Sequence, residues 1–321
     1  MIDWTRLRLP VMQAPMIIAA NLDLVMASCK AGVIGALPVG NARPPETLDG
    51  WLARLSDEEA RTLDAGGTFA PWCVNLLASR QIERELKRER LNACRRHRAP
   101  MILTNLGDPR EEVEAAHEWG GVVIHDVTTM RFAEKAIEAG VDGLMLVCGG
   151  AGGHAGTLNP FSFLPQVRRM FDGLIILAGG IADGAGVAAA LTLGADLVAM
   201  GTRFIATREA GASDAHKQSL IDATAEDIIF TDAIAGMPAS FIRQSILANG
   251  LDPDALPQPL AFHRPNLLPG VKPWKTVYSG GHSVALIDTV PSVAELVDQL
   301  DRDFAAATAP IDWHARMNAR R

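Results

Sequence analysis

The sequence predicts an α/β fold, a (β/α)8 TIM barrel that carries a small, mainly helical cap domain. Eight short apolar runs alternate with helical stretches up to Thr207, which is typical of parallel strands joined by helical crossovers. Most of these runs end at glycine or proline. Eight strands are the number that closes a barrel, and no terminal run has the polarity of a sheet edge, so the barrel is favoured over an open doubly wound sheet.

The elements follow one another in a regular order. The predicted strands are Val11–Pro15, Val33–Leu37, Phe69–Asn75, Met101–Asn105, Val122–His125, Gly143–Val147, Leu174–Ala178 and Asp196–Met200. The predicted helices between them are Asp23–Lys30, Glu46–Glu59, Arg80–Arg98, Arg110–Trp119, Met130–Ala139, Phe161–Phe171 and Gly184–Leu193.

The pattern changes after Thr207. Asp214–Ala225 and Ser240–Asn249 have helical spacing, and Pro253–Pro273 holds six prolines with little periodicity. The β/α pattern resumes at Trp274 and ends in a predicted helix, Ser292–Ala307. We therefore predict a barrel formed by residues 1–212 and 274–321, with a cap inserted at 213–273.

Composition limits the classes of partner. The chain has 321 residues, 48% of them hydrophobic and 21% charged, with a formal net charge of −7. This charge argues against nucleic-acid and membrane-surface partners. The basic segment Arg80–Arg98 is interleaved with glutamates at helical spacing, so we interpret it as a solvated helix face. With no signal-peptide pattern and no apolar stretch long enough to span a bilayer, a cytoplasmic location is expected. The sequence leaves open whether the protein forms a homo-oligomer.

The cysteines and histidines indicate no metal site. Cys29, Cys73, Cys94 and Cys148 form no CxxC pair, and they are expected to be buried thiols. No histidine pair has metal-ligand spacing. His97, His117 and His216 are expected on helix surfaces, and His125 at the barrel rim. A serine-based triad lacks the G-x-S-x-G signature.

The stretch VDGLMLVCGGAGGHAG, Val141–Gly156, is the strongest candidate for a site. An apolar strand passes directly into a loop with five glycines and one imidazole, His154. Glycines allow a ligand to approach the backbone closely, and His154 is the side chain there that can transfer a proton near neutral pH. The alternative is that His154 only caps backbone carbonyls. The loop also matches G-x-G-x-x-A, but Thr157–Pro160 follows in place of a helix, so we reject a dinucleotide site.

Two later glycine turns predict a phosphate site. LAGGIADG follows the seventh run and MGTRF follows the eighth, the positions at which barrels commonly bind phosphate through backbone N–H groups. Gly179, Gly180, Gly201 and Thr202 fit that role. The alternative for any one of these glycines is that it only forms a tight turn.

Several motifs together resemble one family. MQAPM at 12–16, Asn75, AGGHAG at 151–156, AGGIADG at 178–184 and GADLVAMGTRF at 194–204 resemble the nitronate monooxygenases, formerly called 2-nitropropane dioxygenases. AGGHxG alone is shared with flavin-dependent enoyl-acyl carrier protein reductases. The resemblance covers most of the chain to about Thr207 and, more loosely, residues 279–297.

The resemblance implies an FMN-containing barrel with a cap, and it implies roles for particular residues. His154 matches the family's catalytic base. Cofactor contacts are implied for Ala14, Pro15, Met16, Asn75, Asp126, Gly152, Gly153, Ala178, Gly179, Gly180, Gly201 and Thr202. Two positions depart from the family pattern: Asp126 stands where a basic or neutral residue is common, and Gly281-His282 where relatives often carry glutamine.

The expected activity is oxidation of a small nitroalkane or its nitronate with FMN and O2. Two rivals remain open. One is an NAD(P)H-dependent flavin reductase that acts on enoyl thioesters or quinones. The other is a flavin-binding sensor or carrier without turnover.

Overall fold

The computed structural model describes residues 2–44, 47–79, 82–310 and 313–318. Its centre is a closed barrel of eight parallel strands in the order β1-β2-β3-β4-β5-β6-β8-β9. The ring closes where β1 pairs with β9, with Gln13 opposite Met200. The predicted TIM barrel is confirmed.

The strands fall close to the predicted apolar runs. They are β1 Val11–Gln13, β2 Ile34–Pro38, β3 Trp72–Leu77, β4 Met101–Asn105, β5 Val122–Val127, β6 Gly143–Val147, β7 Gly153–His154, β8 Leu174–Ala178, β9 Leu197–Met200, β10 Ile228–Thr231 and β11 Ala239–Ile242. All barrel strands carry runs of fully buried residues, as expected for parallel strands covered on both faces.

The helices lie around the barrel and in the cap. They are α1 Leu22–Lys30, α2 Leu48–Asp64, α3 Arg84–Arg96, α4 Arg110–Glu118, α5 Met130–Glu138, α6 Pro160–Arg168, α7 Gly184–Leu193, α8 Thr202–Ile205, α9 Asp214–Asp222, α10 Arg243–Ala248, α11 Val293–Ala307 and α12 Trp313–Asn318. The predicted helix starts Glu46 and Arg80 lie outside the described residues. Asparagine, threonine, aspartate or serine caps most amino ends, with Asn21 on α1 and Ser292 on α11 as examples.

The last long helix completes the barrel after the cap has intervened. α11 packs between α7 and α1. At Gly184 an added Cβ would lie only 2.1 Å from the Phe304 nitrogen, so the two helices touch backbone to backbone. Arg8 also binds Asp298 and Asp301 of α11. The C-terminal segment therefore belongs with the barrel core, although the predicted domain limits at 212 and 274 stay a prediction.

The cap contains a β-hairpin as well as helices. β10 and β11 pair antiparallel, and β11 pairs on its other edge with β7 of the barrel loop. The predicted helix Ser240–Asn249 is therefore wrong over its first three residues, where Ser240–Ile242 belong to a strand, and the helix itself is Arg243–Ala248. Phe241 and Ile242 satisfy both helical and strand spacing, and pairing with β7 and β10 decides between them. The cap has its own apolar cluster, which includes Ile234, Phe241 and Val277.

The four cysteines are free and buried, as predicted. No helix within the described residues is long and apolar enough to cross a bilayer. In the same ranges no group of three or more His, Cys, Asp or Glu side chains is placed to hold a metal ion.

Candidate active site

The carboxyl ends of the barrel strands and the cap enclose a cavity of about 430 Å³, which falls in the range of small-molecule sites. Every predicted site residue lines it: Ala14, Pro15, Met16, Asn75, Asp126, Gly152, Gly153, His154, Ala178, Gly179, Gly180, Gly201 and Thr202. Because parallel strands present their carboxyl ends on one rim, residues far apart in sequence meet here.

One wall is formed by the ends of β1 and β3. The Ala14 N–H donates to the Met200 carbonyl at 3.0 Å, which fixes the chain after β1 against β9. Asn75 is 9% exposed, and its Nδ2 donates to the Leu103 carbonyl at 3.1 Å. This bond fixes the amide orientation, so the Asn75 side chain is a rigid part of the cavity wall.

The turns after β8 and β9 form a second wall. Gly180 has a left-handed φ of +71°, and an added Cβ would meet no atom within 4 Å. Its backbone can therefore be approached from the cavity. The Thr202 side chain is buried, and its Oγ1 accepts the Gly281 N–H at 3.0 Å. At the start of α7 the Gly186 N–H is bonded to Asp183, and the described cavity lining includes Gly179, Gly180 and Gly201 but no residue of α7.

The glycine loop after β6 is attached to the cap by β-pairing. Gly153 lies opposite Ser240, and His154 lies opposite Ala239. An added Cβ at Gly152 would lie 2.9 Å from both the Gly281 nitrogen and Thr202 Oγ1. The loop therefore packs too closely for any side chain at that position, and its main chain is held from two sides.

The His154 side chain is exposed to the cavity. Burial of the surrounding site lowers the pKa of His154, a hydrogen bond to the Pro238 backbone carbonyl raises it, and His263 lowers it further. The net direction is downward. This shift favours the neutral imidazole, which is the protonation state that a general base requires.

Asp126 lies on the cavity wall at the end of β5, next to Asn105 of β4. Burial raises the pKa of Asp126 to about 7, and a hydrogen bond with the Asn105 side chain opposes the shift. The cavity wall therefore holds a carboxyl that changes charge near neutral pH.

Several residues line the cavity that sequence reasoning missed. They are Arg90, Asn105, His216, His263, Trp274 and Ser279. Arg90 lies within the segment interpreted as a solvated helix face, and it is half-buried. It is the single Lys or Arg among the described cavity residues.

The expected positions of two histidines are wrong. His216 was expected on a helix surface, yet it is 7% exposed, its Nε2 lies 2.8 Å from the Ser279 carbonyl, and its ring stacks on Tyr278. His125 was expected at the rim, but it is buried with Nδ1 2.8 Å from Thr104 Oγ1. The ring of His216 is contacted by Tyr278 from the cap end, and the ring of His125 by Thr104 of the neighbouring strand β4. Local spacing carries no signal for either contact.

His282 does not line the cavity. Its N–H donates to the Gly150 carbonyl at 3.0 Å, and Nδ1 would lie 3.3 Å from a Cβ added at Gly150. His282, at the second position that departs from the family pattern, therefore packs against the glycine loop outside the cavity lining.

An imidazole and two glycine turns that line one cavity at the carboxyl end of the strands define an α/β-barrel protein with a small-molecule site. The model of the nitronate monooxygenase family matches residues 60–303. The chain belongs to the nitronate monooxygenase family, and it is an oxidoreductase of that family.

The chain is similar to individual proteins with two different named activities. A nitronate monooxygenase from Paraburkholderia phytofirmans is 28% identical over 92% of each chain. A (3aS,4S,5R,7aS)-5-hydroxy-7a-methyl-1-oxo-octahydro-1H-indene-4-carboxyl-CoA dehydrogenase from Mycobacterium tuberculosis is 31% identical over 74% of this chain and 64% of its own length.

Solved structures show the same fold. A nitroalkane oxidase from Streptomyces ansochromogenes has a TM-score of 0.77, with 23% identity over 94% of this chain and 98% of its own. FabK from Thermotoga maritima has a TM-score of 0.73, with 23% identity over 99% and 98% of the two chains. At this level of identity the likeness concerns the fold alone.

Proposed function

We propose that the protein is an FMN-dependent enzyme that oxidises alkyl nitronates and small nitroalkanes with O2. The observation that carries the proposal is that His154 and the two glycine turns line one cavity in a chain of this family. When bound, FMN supplies the redox chemistry with O2.

The residues present fit FMN. The open left-handed backbone at Gly180 and the buried Thr202 hydroxyl suit a phosphate, because both can donate hydrogen bonds to an oxyanion. The wall formed by Ala14, Pro15 and Met16 is mostly apolar, which suits a flat aromatic ring. Asn75 and Asp126 supply polar groups on the cavity wall.

The role proposed for His154 is that of a general base. In its neutral form the imidazole has one unprotonated nitrogen, which can take the α-proton of a nitroalkane. The C–H bond breaks, its electron pair moves into the nitro group, and the nitronate forms beside a protonated imidazole. The positive charge then stabilises the bound anion. Such a base contributes about 10² to 10⁴ in rate.

The visible spectrum of the purified protein tests the proposal, recorded before and after anaerobic addition of propyl-1-nitronate and, separately, of NADH and NADPH. We expect a flavin spectrum that bleaches with the nitronate. Rapid bleaching by a nicotinamide and none by the nitronate would instead favour a reductase. A protein that takes up no FMN on incubation contradicts the proposal.

A further inference from the structure

Trp274 connects the His154 imidazole to the core of the cap. The two rings meet edge to face, with centroids 5.1 Å apart and planes at 74°. On its other side Trp274 contacts Phe241 with centroids 4.9 Å apart. Phe241 is fully buried in the cap cluster. The orientation of the imidazole is therefore coupled to a rigid part of the cap.

The backbone at Trp274 is held in an unfavourable conformation. Its φ is +67°, in the left-handed region that a bulky side chain rarely adopts. The Trp274 N–H donates to the Val277 carbonyl at 3.0 Å, and the Thr276 and Val277 N–H groups both donate to Lys272. A tight turn thus imposes the conformation, and such outliers persist only where surrounding contacts require them.

His154 has two further restraints. Its main chain is paired with Ala239, and the Pro238 carbonyl is close enough to the ring to raise the pKa of His154. The titratable group that acts on it is His263 from the cap. Arg90, Asp126 and His216 also line the cavity, but no ion pair within the described ranges joins any of them to His154. The ring is thus oriented by a backbone carbonyl and an indole instead of by a carboxylate.

We propose that Trp274 is a positioning residue, which covers one side of the His154 ring and holds it so that one nitrogen faces the Pro238 carbonyl and the other faces the cavity. The consequence for catalysis rests on the proposed function of His154. The effect on the ring itself does not, because tautomer and titration belong to the histidine alone.

Nitrogen-15 NMR of the purified, flavin-loaded full chain with labelled histidine tests this directly, and His154→Asn identifies the resonance. In the wild type we expect one neutral tautomer of His154. Trp274→Phe keeps an aromatic edge and should preserve it. Trp274→Ala should give a mixture of tautomers, and the pKa of His154 should move up towards its ordinary value because water reaches the ring.

Kinetics should follow the same order. In Trp274→Ala, kcat/KM for 1-nitropropane should fall by about 10- to 100-fold, since a base out of position loses much of its rate contribution, and the acid limb of its pH profile should move to higher pH. Trp4→Ala, at an exposed tryptophan outside the cavity, is the matched control and should change neither. Trp274→Leu serves as a second variant, and it should resemble the alanine variant if Trp274→Ala does not fold.

An unchanged tautomer and an unchanged titration of His154 in Trp274→Ala or Trp274→Leu would overturn the inference, even with activity lost. A downward movement of the pKa on removing the indole would do the same, because it would mean that the ring stabilises the imidazolium. If the wild type oxidises no nitroalkane or nitronate, the proposed function fails, while the NMR result still decides the role of Trp274.

Discussion

The Gly281 N–H donates to Thr202 Oγ1 at 3.0 Å. This bond joins the loop before α11 to the turn after β9, and Gly152 of the glycine loop packs against the same two atoms. Three segments distant in sequence thus meet at one hydroxyl. No acceptor among the described residues takes the Thr202 hydroxyl proton, so that proton is available to an anion in the cavity.

Thr202→Val removes this hydroxyl and keeps the shape of the side chain. We expect FMN affinity to fall by roughly 10- to 100-fold, because a hydrogen bond to a charged group contributes about 1.5–3 kcal/mol. Thr202→Ser keeps the hydroxyl and should bind FMN nearly as the wild type does. Fluorescence titration of apoprotein with FMN measures both. Equal affinities of the valine and serine variants would mean that the hydroxyl does not contact the phosphate.

A comparison of Gly180→Ala with Gly66→Ala separates the effect on cofactor binding from the effect of backbone strain. Gly180 and Gly66 have φ values of +71° and +74°, both are exposed, and at neither would a Cβ meet an atom within 4 Å. Alanine should lower the free energy of unfolding by about 1–2 kcal/mol at each, since the left-handed conformation costs that amount. Gly66 lies beyond α2, outside the cavity, so only Gly180→Ala should weaken FMN binding. Urea unfolding and FMN titration on both variants give the comparison.

The barrel and the location of the candidate site were predictable because their signals are local. Each barrel strand is an apolar run that ends at glycine, proline or a small polar residue, and parallel strands bring those ends to one rim. The pairing of Gly153–His154 with the cap was not predictable, because a strand of two residues is too short to show an alternating pattern of apolar and polar residues. Trp274 follows a proline-rich stretch without periodicity, so its contact with His154 was not predictable either. Arg90 sits in a helix whose charge spacing is that of a solvent-facing surface, and only the structure shows it at the cavity.

The pH dependence of nitroalkane oxidation reports on His154. Its pKa is lowered, with burial as the main cause, so the neutral base is present above that pKa and is lost as pH falls through it. We expect kcat/KM for 1-nitropropane to rise with pH and to level off above the lowered pKa of His154. His154→Asn should bind FMN and lose at least about a hundredfold in rate on the nitroalkane.

The nitronate prepared from the same compound provides the internal control, because it has already lost the α-proton. His154→Asn should retain much more of its activity on propyl-1-nitronate than on 1-nitropropane, measured by oxygen consumption. Equal losses on the two substrates would assign His154 a role in binding the anion and would remove its role as a base.

His125 should make the fold sensitive to acid. The ring is 7% exposed and pairs with Thr104, and burial lowers the pKa of His125 from 6.5 to about 4, against a smaller opposing effect of Asp108. Between pH 6.5 and about 4, His125 binds a proton in the unfolded chain but not in the folded chain. Stability is therefore fully present above pH 6.5 and falls as pH decreases towards 4, by about 3 kcal/mol from this residue.

Urea unfolding at several pH values between 7.5 and 4 measures this loss. His125→Asn should lower stability at pH 7.5, because the Thr104 contact and some packing are lost, yet it should flatten the decline at lower pH. Buried His216, whose pKa burial also lowers, accounts for part of the slope that remains. The same substitution at exposed His117 should leave the wild-type decline intact. The contrary result is a parallel loss of stability in His125→Asn and the wild type below pH 6.5. It would mean that His125 is protonated in the folded protein, so that its surroundings do not keep the ring neutral.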